Sequence, residues 1–408
     1  MQSDLFKLRR KFIVRIGKML HKYGTPVYRL EAHLMELAHA LELRSAFIVS
    51  PTSMTFVLWT EGHEDEYTHA ARVAPGDLDM GSLSRTDEVV EQVLNKTLSI
   101  EEASLRLDEI DNMPNPYGKV ATGISYWMAS AAFSMIMVSS VRDVIWAGLL
   151  GIVVYVFVLW SGRSKGITNM LEPLVAMVSA ILACAISSYV DPSIDIRKVV
   201  LSSIIVFIPG LALTIGLAEL SERHLVSGTA KIMDAMMMLF KLYFGAFLGL
   251  EIGFWLFGEV PFQPRAVLPA WTAWIAIAAL TTSLIIAFRT RRRHILWSFA
   301  VGFIAFGTSN FGASYFDYAM GAFLGAFVVG VYGNIFTRVA KAPAVIVGMP
   351  GLIVLVPGSK TFIGLNAYIA GSGFDYGDHA MQQSLVIFMS LVAGLIFANS
   401  ALPPRKSL

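Results

Sequence analysis

The sequence predicts a polytopic α-helical membrane protein: about ten transmembrane helices arranged as two inverted five-helix repeats, preceded by a small N-terminal cytoplasmic α+β domain. Three observations predict it. The 408 residues are 55% hydrophobic and only 15% charged, with a mean hydropathy of +0.61, which is wrong for an ordinary soluble protein. Charge is also unevenly spread: residues 1–115 are charge-rich, whereas the rest holds apolar runs of about 20 residues, the length of a membrane-crossing helix. The third observation is a repeated phrase. Pro209-Gly210 followed by Ile215-Gly216-Leu217, and Pro357-Gly358 followed by Ile363-Gly364-Leu365, share one spacing and lie 148 residues apart, each closing an apolar stretch. Proline removes a backbone donor and glycine tolerates unusual backbone angles, so the pair breaks a helix and frees polar groups. At membrane depth such a break survives only against protein or a watery cavity. Matched breaks in two halves point to a transporter's central site.

The N-terminal part, residues 1–115, carries its own pattern. Apolar residues recur at helical spacing over Lys18–Leu43. Ala46–Val49, Met54–Trp59 and Tyr67–Val73 read as strands, with a turn at Pro51-Thr52-Ser53. Helices are expected over Ser84–Leu94 and Ser99–Ile110, the second opened by a capping box of Ser99 and Glu102. Met113-Pro114-Asn115-Pro116-Tyr117 then serves as a linker.

Ten spans follow, at roughly 119–139, 143–161, 170–190, 198–218, 232–257, 268–288, 294–311, 317–337, 343–365 and 381–400. They divide into repeats over 116–258 and 259–408, with a Pro-Gly break in the fourth span of each. Five spans per repeat invert the second against the first. In the loops and tail beyond the N-terminal domain, twelve Lys and Arg residues lie on the side shared by the termini, against four on the other. This places both termini in the cytoplasm. The cluster Arg289–Arg293 contributes most and reads as a topology anchor. Without an apolar leader at the N-terminus, no signal peptide is expected. The N-terminal domain is then expected to stay in the cytoplasm, and the protein to sit in an inner or plasma membrane.

Several classes are set aside. A net charge of +2, with no basic run interleaved with aromatics, offers nucleic acid no surface. The single cysteine, Cys184, excludes an intramolecular disulfide and a cysteine-based zinc site. Gly358-Ser359-Lys360-Thr361 lacks the glycine that a phosphate-binding loop has before its lysine, and it sits in an apolar region. No cofactor, metal or enzymatic activity is expected: His63, Glu64, Asp65 and Glu66, with His69 beyond them, read as a charged hairpin and not as a metal site. The expected partners are a small solute, protons and the bilayer. Self-association is left open.

The candidate site residues follow from the breaks and from charge inside spans. Pro209, Gly210, Pro357 and Gly358 would expose half-helix N-termini, which favour a carboxylate. Lys360 and Lys241 would reinforce that charge. Asp234 and Glu251, in the fifth span, are candidates for proton coupling, because a carboxylate inside a span is costly and burial raises its pKa. Interface anchoring competes for both. Asn310, Asn334 and Asn366 read as helix–helix hydrogen-bond partners.

Four short motifs then stand in order: Gly24-Thr25-Pro26-Val27-Tyr28-Arg29-Leu30-Glu31, Ser50-Pro51-Thr52-Ser53, Leu78-Asp79-Met80-Gly81-Ser82-Leu83, and Glu101 through Ile110. With ten spans and Val356-Pro357-Gly358-Ser359, the whole chain resembles the threonine/serine exporter family, with its larger and smaller modules fused. The resemblance implies efflux of threonine and serine driven by the proton gradient. Some two-chain relatives are associated with dicarboxylates such as succinate, which keeps that substrate class open beside a channel not coupled to protons.

Overall fold

The structure, a computed structural model, describes residues 2–61, 66–259, 266–358 and 380–404. The N-terminal domain opens with α1 (Gln2–Lys22) and α2 (Val27–Ala40). The single helix expected over Lys18–Leu43 is thus broken. Gly24 sits at φ +84°, in the left-handed region, and Pro26 cannot donate to a continuing helix. Strands β1 (Arg44–Val49), β2 (Ser53–Trp59) and β3 (Tyr67–Arg72) form an antiparallel sheet in the order β1-β2-β3. Val49 faces Met54 across the turn, where the Ser50 and Ser53 hydroxyls lie 2.8 Å apart. Alternate residues Met54, Phe56 and Leu58 of β2 are buried in one core with Ile13, Ile16 and Leu20 of α1 and Leu30, Leu34 and Leu37 of α2.

Helix α3 (Met80–Leu94) begins four residues before the expected start, because Asp79 caps it by accepting from the Ser82 amide at 2.8 Å. Helix α4 (Ile100–Asp111) opens with the expected box: Ser99 and Glu102 satisfy one another's amides.

The apolar part comprises α5 (Gly118–Ile136), α6 (Val141–Ser161), α7 (Lys165–Tyr189), α8 (Ile196–Ser203), α9 (Gly210–Ser221), α10 (Leu225–Phe257), α11 (Thr272–Ala287), α12 (Ile295–Tyr315), α13 (Tyr318–Ala340), α14 (Val345–Leu355) and α15 (Ala380–Ala401). Among the described residues, six helices are long and apolar enough to cross a membrane, namely α6, α7, α10, α12, α13 and α15; the α8–α9 pair, bent by 52°, makes a seventh. Helices α11 and α14 are apolar but shorter. The protein is a polytopic membrane protein, and length with composition accounts for six or seven of the ten expected crossings.

Helix α7 runs along α10, and α13 along α15; α12 packs on α13, and α5 on both α6 and α11. The α7–α10 contact depends on small residues. A Cβ on Gly249 would lie 2.4 Å from the Met177 carbonyl oxygen, so the backbones touch as in other close membrane helix pairs. Asn334 of α13 donates to Asn399 of α15 at 3.1 Å, the helix-to-helix role expected of it.

Candidate functional site

The first break is built in three steps. Helix α8 ends at Ser203, a single 3₁₀ turn covers Ile205–Phe207, and α9 restarts at Gly210 with Pro209 before it. The Gly210 amide is turned back to the Ile208 carbonyl at 2.8 Å, while the Pro209 carbonyl already accepts from Leu213 at 3.0 Å. No side chain caps this helix start. In the second break α14 ends at Leu355, Val356 is extended, and Pro357-Gly358 follow directly.

The two breaks meet. A Cβ added to Gly210 would lie 2.4 Å from Val356 Cγ1 and 3.1 Å from the Gly358 Cα. Only glycine permits that approach. Pro209 and Pro357 are both buried beside it. At the meeting point is a cavity of about 250 Å³ walled by α5, the α8–α9 break, α11 and the end of α14. Ser125, Tyr126 and Ser283 bring side-chain polar groups, and no charged residue lines it among those described. One wall comes from the N-terminal domain: Leu78 reaches the cavity next to Phe288. A small polar solute fits such a space, with the uncapped start of α9 offering amide hydrogens to a negative end.

The ionisable candidates are elsewhere. Lys241 does not line the cavity; it faces Glu172 of α7 at 3.7 Å, with its side chain 42% exposed. Asp234 and Glu251 are exposed on α10 and make no hydrogen bond or ion pair with a described residue. Both positions turn away from α7, which α10 meets with its small residues. Lys360, Asn366, His63, Glu64 and Asp65 lie outside the described residues. Asn310 is exposed.

A carboxylate that sequence reasoning missed lies at the end of α9. Glu219 is fully buried, between α10 and the N-terminal domain. Its Oε1 accepts the Val27 amide of α2 at 3.0 Å and pairs closely with Lys231; its Oε2 accepts the Ser227 hydroxyl at 2.7 Å. Beside it Glu31 accepts the Val49 amide at 2.9 Å and faces His224 at 3.5 Å. Burial holds the Glu31 carboxyl above its ordinary range, and the nearby Glu219 adds to this against Val49 and His224. Glu219 lies one residue beyond the fourth span expected at 198–218. The available signal was Glu31, the last residue of the Gly24–Glu31 motif, whose neighbours have to contact something.

A second junction uses the basic cluster. The Met80 amide donates to the Phe288 carbonyl at 2.9 Å, and Arg289 to Asp79 at 2.9 Å. Arg291 donates to Glu88 at 2.7 Å, and Arg293 pairs with the same carboxylate. Burial would push Glu88 up, but the bonds and charges of Arg291 and Arg293 outweigh it and hold the carboxyl below its ordinary range. Three arginines expected to act as a topology anchor therefore also grip α3.

These features can be set beside known proteins. A profile of threonine/serine exporters matches residues 11–253, more than half of the chain. The chain belongs to the threonine/serine exporter family. A second profile, described as Threonine/Serine exporter, ThrE, matches residues 272–401, so both modules of the exporter family are fused here. Among curated relatives, "Pheromone-regulated membrane protein 10" of Eremothecium gossypii is 24% identical over 87% of this chain and 48% of its own length. The proteins of that name in Debaryomyces hansenii and Saccharomyces cerevisiae are 26% and 24% identical, over 86% of this chain and 36% and 46% of theirs. The chain thus spans less than half the length of these relatives. No solved structure matches.

Proposed function

We propose that this chain is a secondary-active exporter of small amino acids, threonine and serine, coupled to the proton gradient across an inner or plasma membrane. The observation that carries the reading is the meeting of two Pro-Gly breaks at one cavity in a chain of an exporter family. The cavity suits a small zwitterion. The start of α9, with Lys360 two residues beyond Gly358, receives the carboxylate, and Ser125, Tyr126 and Ser283 are within the walls to meet hydroxyl and ammonium groups. A dicarboxylate needs a second cationic pole, which the described walls do not supply.

In this reading ten crossings form two inverted repeats, 116–258 and 259–408, and the 1–115 domain lies on the cytoplasmic side with both termini. Recurring packing supports it. The third and fifth helices pair in each half, as α7 with α10 and α13 with α15; the second and fourth pair as α6 with α8 and α12 with α14. The first helices, α5 and α11, pack on each other. Leu78 then acts as the cytoplasmic gate, withdrawn when the N-terminal domain shifts. Proton coupling falls to Glu251 or Asp234, the carboxylates carried within the fifth span.

Counterflow of labelled serine into proteoliposomes tests the proposal. Uptake should depend on the pH gradient and be competed by threonine and not by succinate. Gly210→Val, whose side chain invades the space of Val356 and Gly358, should stop flux while the protein stays folded in the membrane. Unchanged flux in that variant overturns the site. Flux indifferent to the pH gradient makes the protein a channel, and competition by succinate moves the substrate to dicarboxylates.

A further inference from the structure

The N-terminal domain carries a groove that the transport reading does not use. It is an open hollow of about 440 Å³ along α1, closed on its other side by β3 and the end of α4. Lys11, Arg15, Lys18 and Lys22 line it at successive turns of α1, joined by Arg10. Like charges three and four residues apart repel along a helix face, so this row costs stability unless something answers it. Part of it is answered. Arg15 pairs with Asp108, and Lys22 with Asp111 at 2.6 Å.

Three cations remain without an acidic partner among the described residues. Lys18 has only the ring of His69, 3.2 Å away. Lys11 is exposed at the rim. Arg10 stacks its guanidinium over Tyr67 at 3.8 Å, which fixes its plane, and its Nε is buried with no acceptor among the described residues. Burial, with the charges of Lys18 and Arg10, holds His69 below its ordinary pKa, so the floor of the groove is neutral imidazole under a positive rim. Fixed guanidinium and flexible ammonium groups converging on one hollow are the arrangement that recognises phosphate oxygens.

We propose that this groove is a binding site for a phosphate-bearing anion of at least two negative charges, held by Arg10, Lys11 and Lys18, and that it is separate from the transport cavity. Occupation relieves the repulsion along α1 and ties α1 to β3. Free phosphates and the headgroups of anionic lipids present the same chemistry, and the experiment separates them.

The test uses the full-length protein in nanodiscs of neutral phosphatidylcholine, titrated with pyrophosphate at low salt by calorimetry. Saturable binding at one site is expected. Lys11→Gln with Lys18→Gln should weaken it by about tenfold or more, the loss of two charge-assisted contacts. Lys7→Gln, which removes one exposed charge of the same helix outside the groove, should change it by less than about twofold. In nanodiscs containing phosphatidylglycerol, retained pyrophosphate binding identifies a free phosphate compound as the ligand, and its loss in the parent protein identifies a lipid headgroup. Absence of saturable binding overturns the proposal, as does an equal loss in the Lys7→Gln control. So does a third result: no binding in the parent protein, with a lower melting temperature on neutralising Glu64, Asp65 and Glu66. That result would make the acidic segment before β3 the partner of the groove.

Discussion

The N-terminal domain is fastened to the helix bundle at two junctions that use the same residue types in opposite ways. At the first, Glu219 is fully buried and receives the Val27 amide, the Ser227 hydroxyl and Lys231. At the second, Asp79 and Glu88 meet Arg289, Arg291 and Arg293, with the Arg289 and Arg293 side chains each 44% exposed. The difference is access of water. A pair in low dielectric strands a charge when one partner leaves, whereas a wet pair lets each partner rehydrate. The first junction therefore behaves as all-or-none and fixes where α2 sits on α9. The second is graded, and adjusts how firmly α3 is held.

The largest test of that contrast is Glu219→Ala. It leaves Lys231, the Val27 amide and Ser227 without their acceptor and should cost about 3–5 kcal/mol, read as loss of the folded fraction in denaturant titration. Replacing both charges, Glu219→Leu with Lys231→Met, should recover the part due to the stranded Lys231, while the Val27 amide and Ser227 stay without their acceptor. If Glu219→Ala is as stable as the parent, the two junctions do not differ in kind.

Next in size is removal of the wet pairs. Arg293→Ala, at the more exposed end of the cluster, should cost about 1 kcal/mol or less, and the effect should shrink as salt rises. An effect that matches Glu219→Ala and ignores salt would place this junction in the buried class.

The pH response should separate the junctions by sign. Glu88 has a lowered folded pKa, so its contribution is complete above the ordinary carboxylate value and is lost as pH falls through the lowered one. Glu31, at the first junction, has a raised folded pKa; its contribution is complete below the ordinary value and is lost as pH rises through the raised one. Melting temperature followed across the acid range should show Glu88→Gln removing a term that grows with pH, and Glu31→Gln removing one that declines. Equal signs would contradict the assignment. The smallest effect on this contrast is expected from Lys241→Met, which breaks a pair with Glu172 between α7 and α10, remote from both junctions, and should leave the pH response of both unchanged.

Much of the architecture was legible beforehand because it rests on local rules. Apolar length marked the helices, the Ser99–Glu102 spacing marked a helix start, and two Pro-Gly pairs marked where helices stop. The same rules placed the breaks of the site, and Gly210 and Gly358 do come together. They did not say which way the ionisable residues turn. Asp234, Lys241 and Glu251 drew attention by lying within an apolar run, yet which side of α10 meets another helix is set by its glycines against α7. Glu219 drew none, since at the edge of a span a glutamate ordinarily faces water. Leu78 could not be read as a cavity wall, because nothing local connects it to residues more than 100 positions away.

Sequence alone determined that this is a many-helix membrane protein of an exporter family, with paired breaks and a folded N-terminal part. Hydropathy, helix breaking and capping act over a few residues and need no partner. Only the tertiary structure decided that the breaks touch, that Leu78 closes the space beside them, and that Glu219 is a charge removed from water. Each of those depends on which surfaces exclude solvent together, and exclusion is a property of packed elements, absent from any one of them.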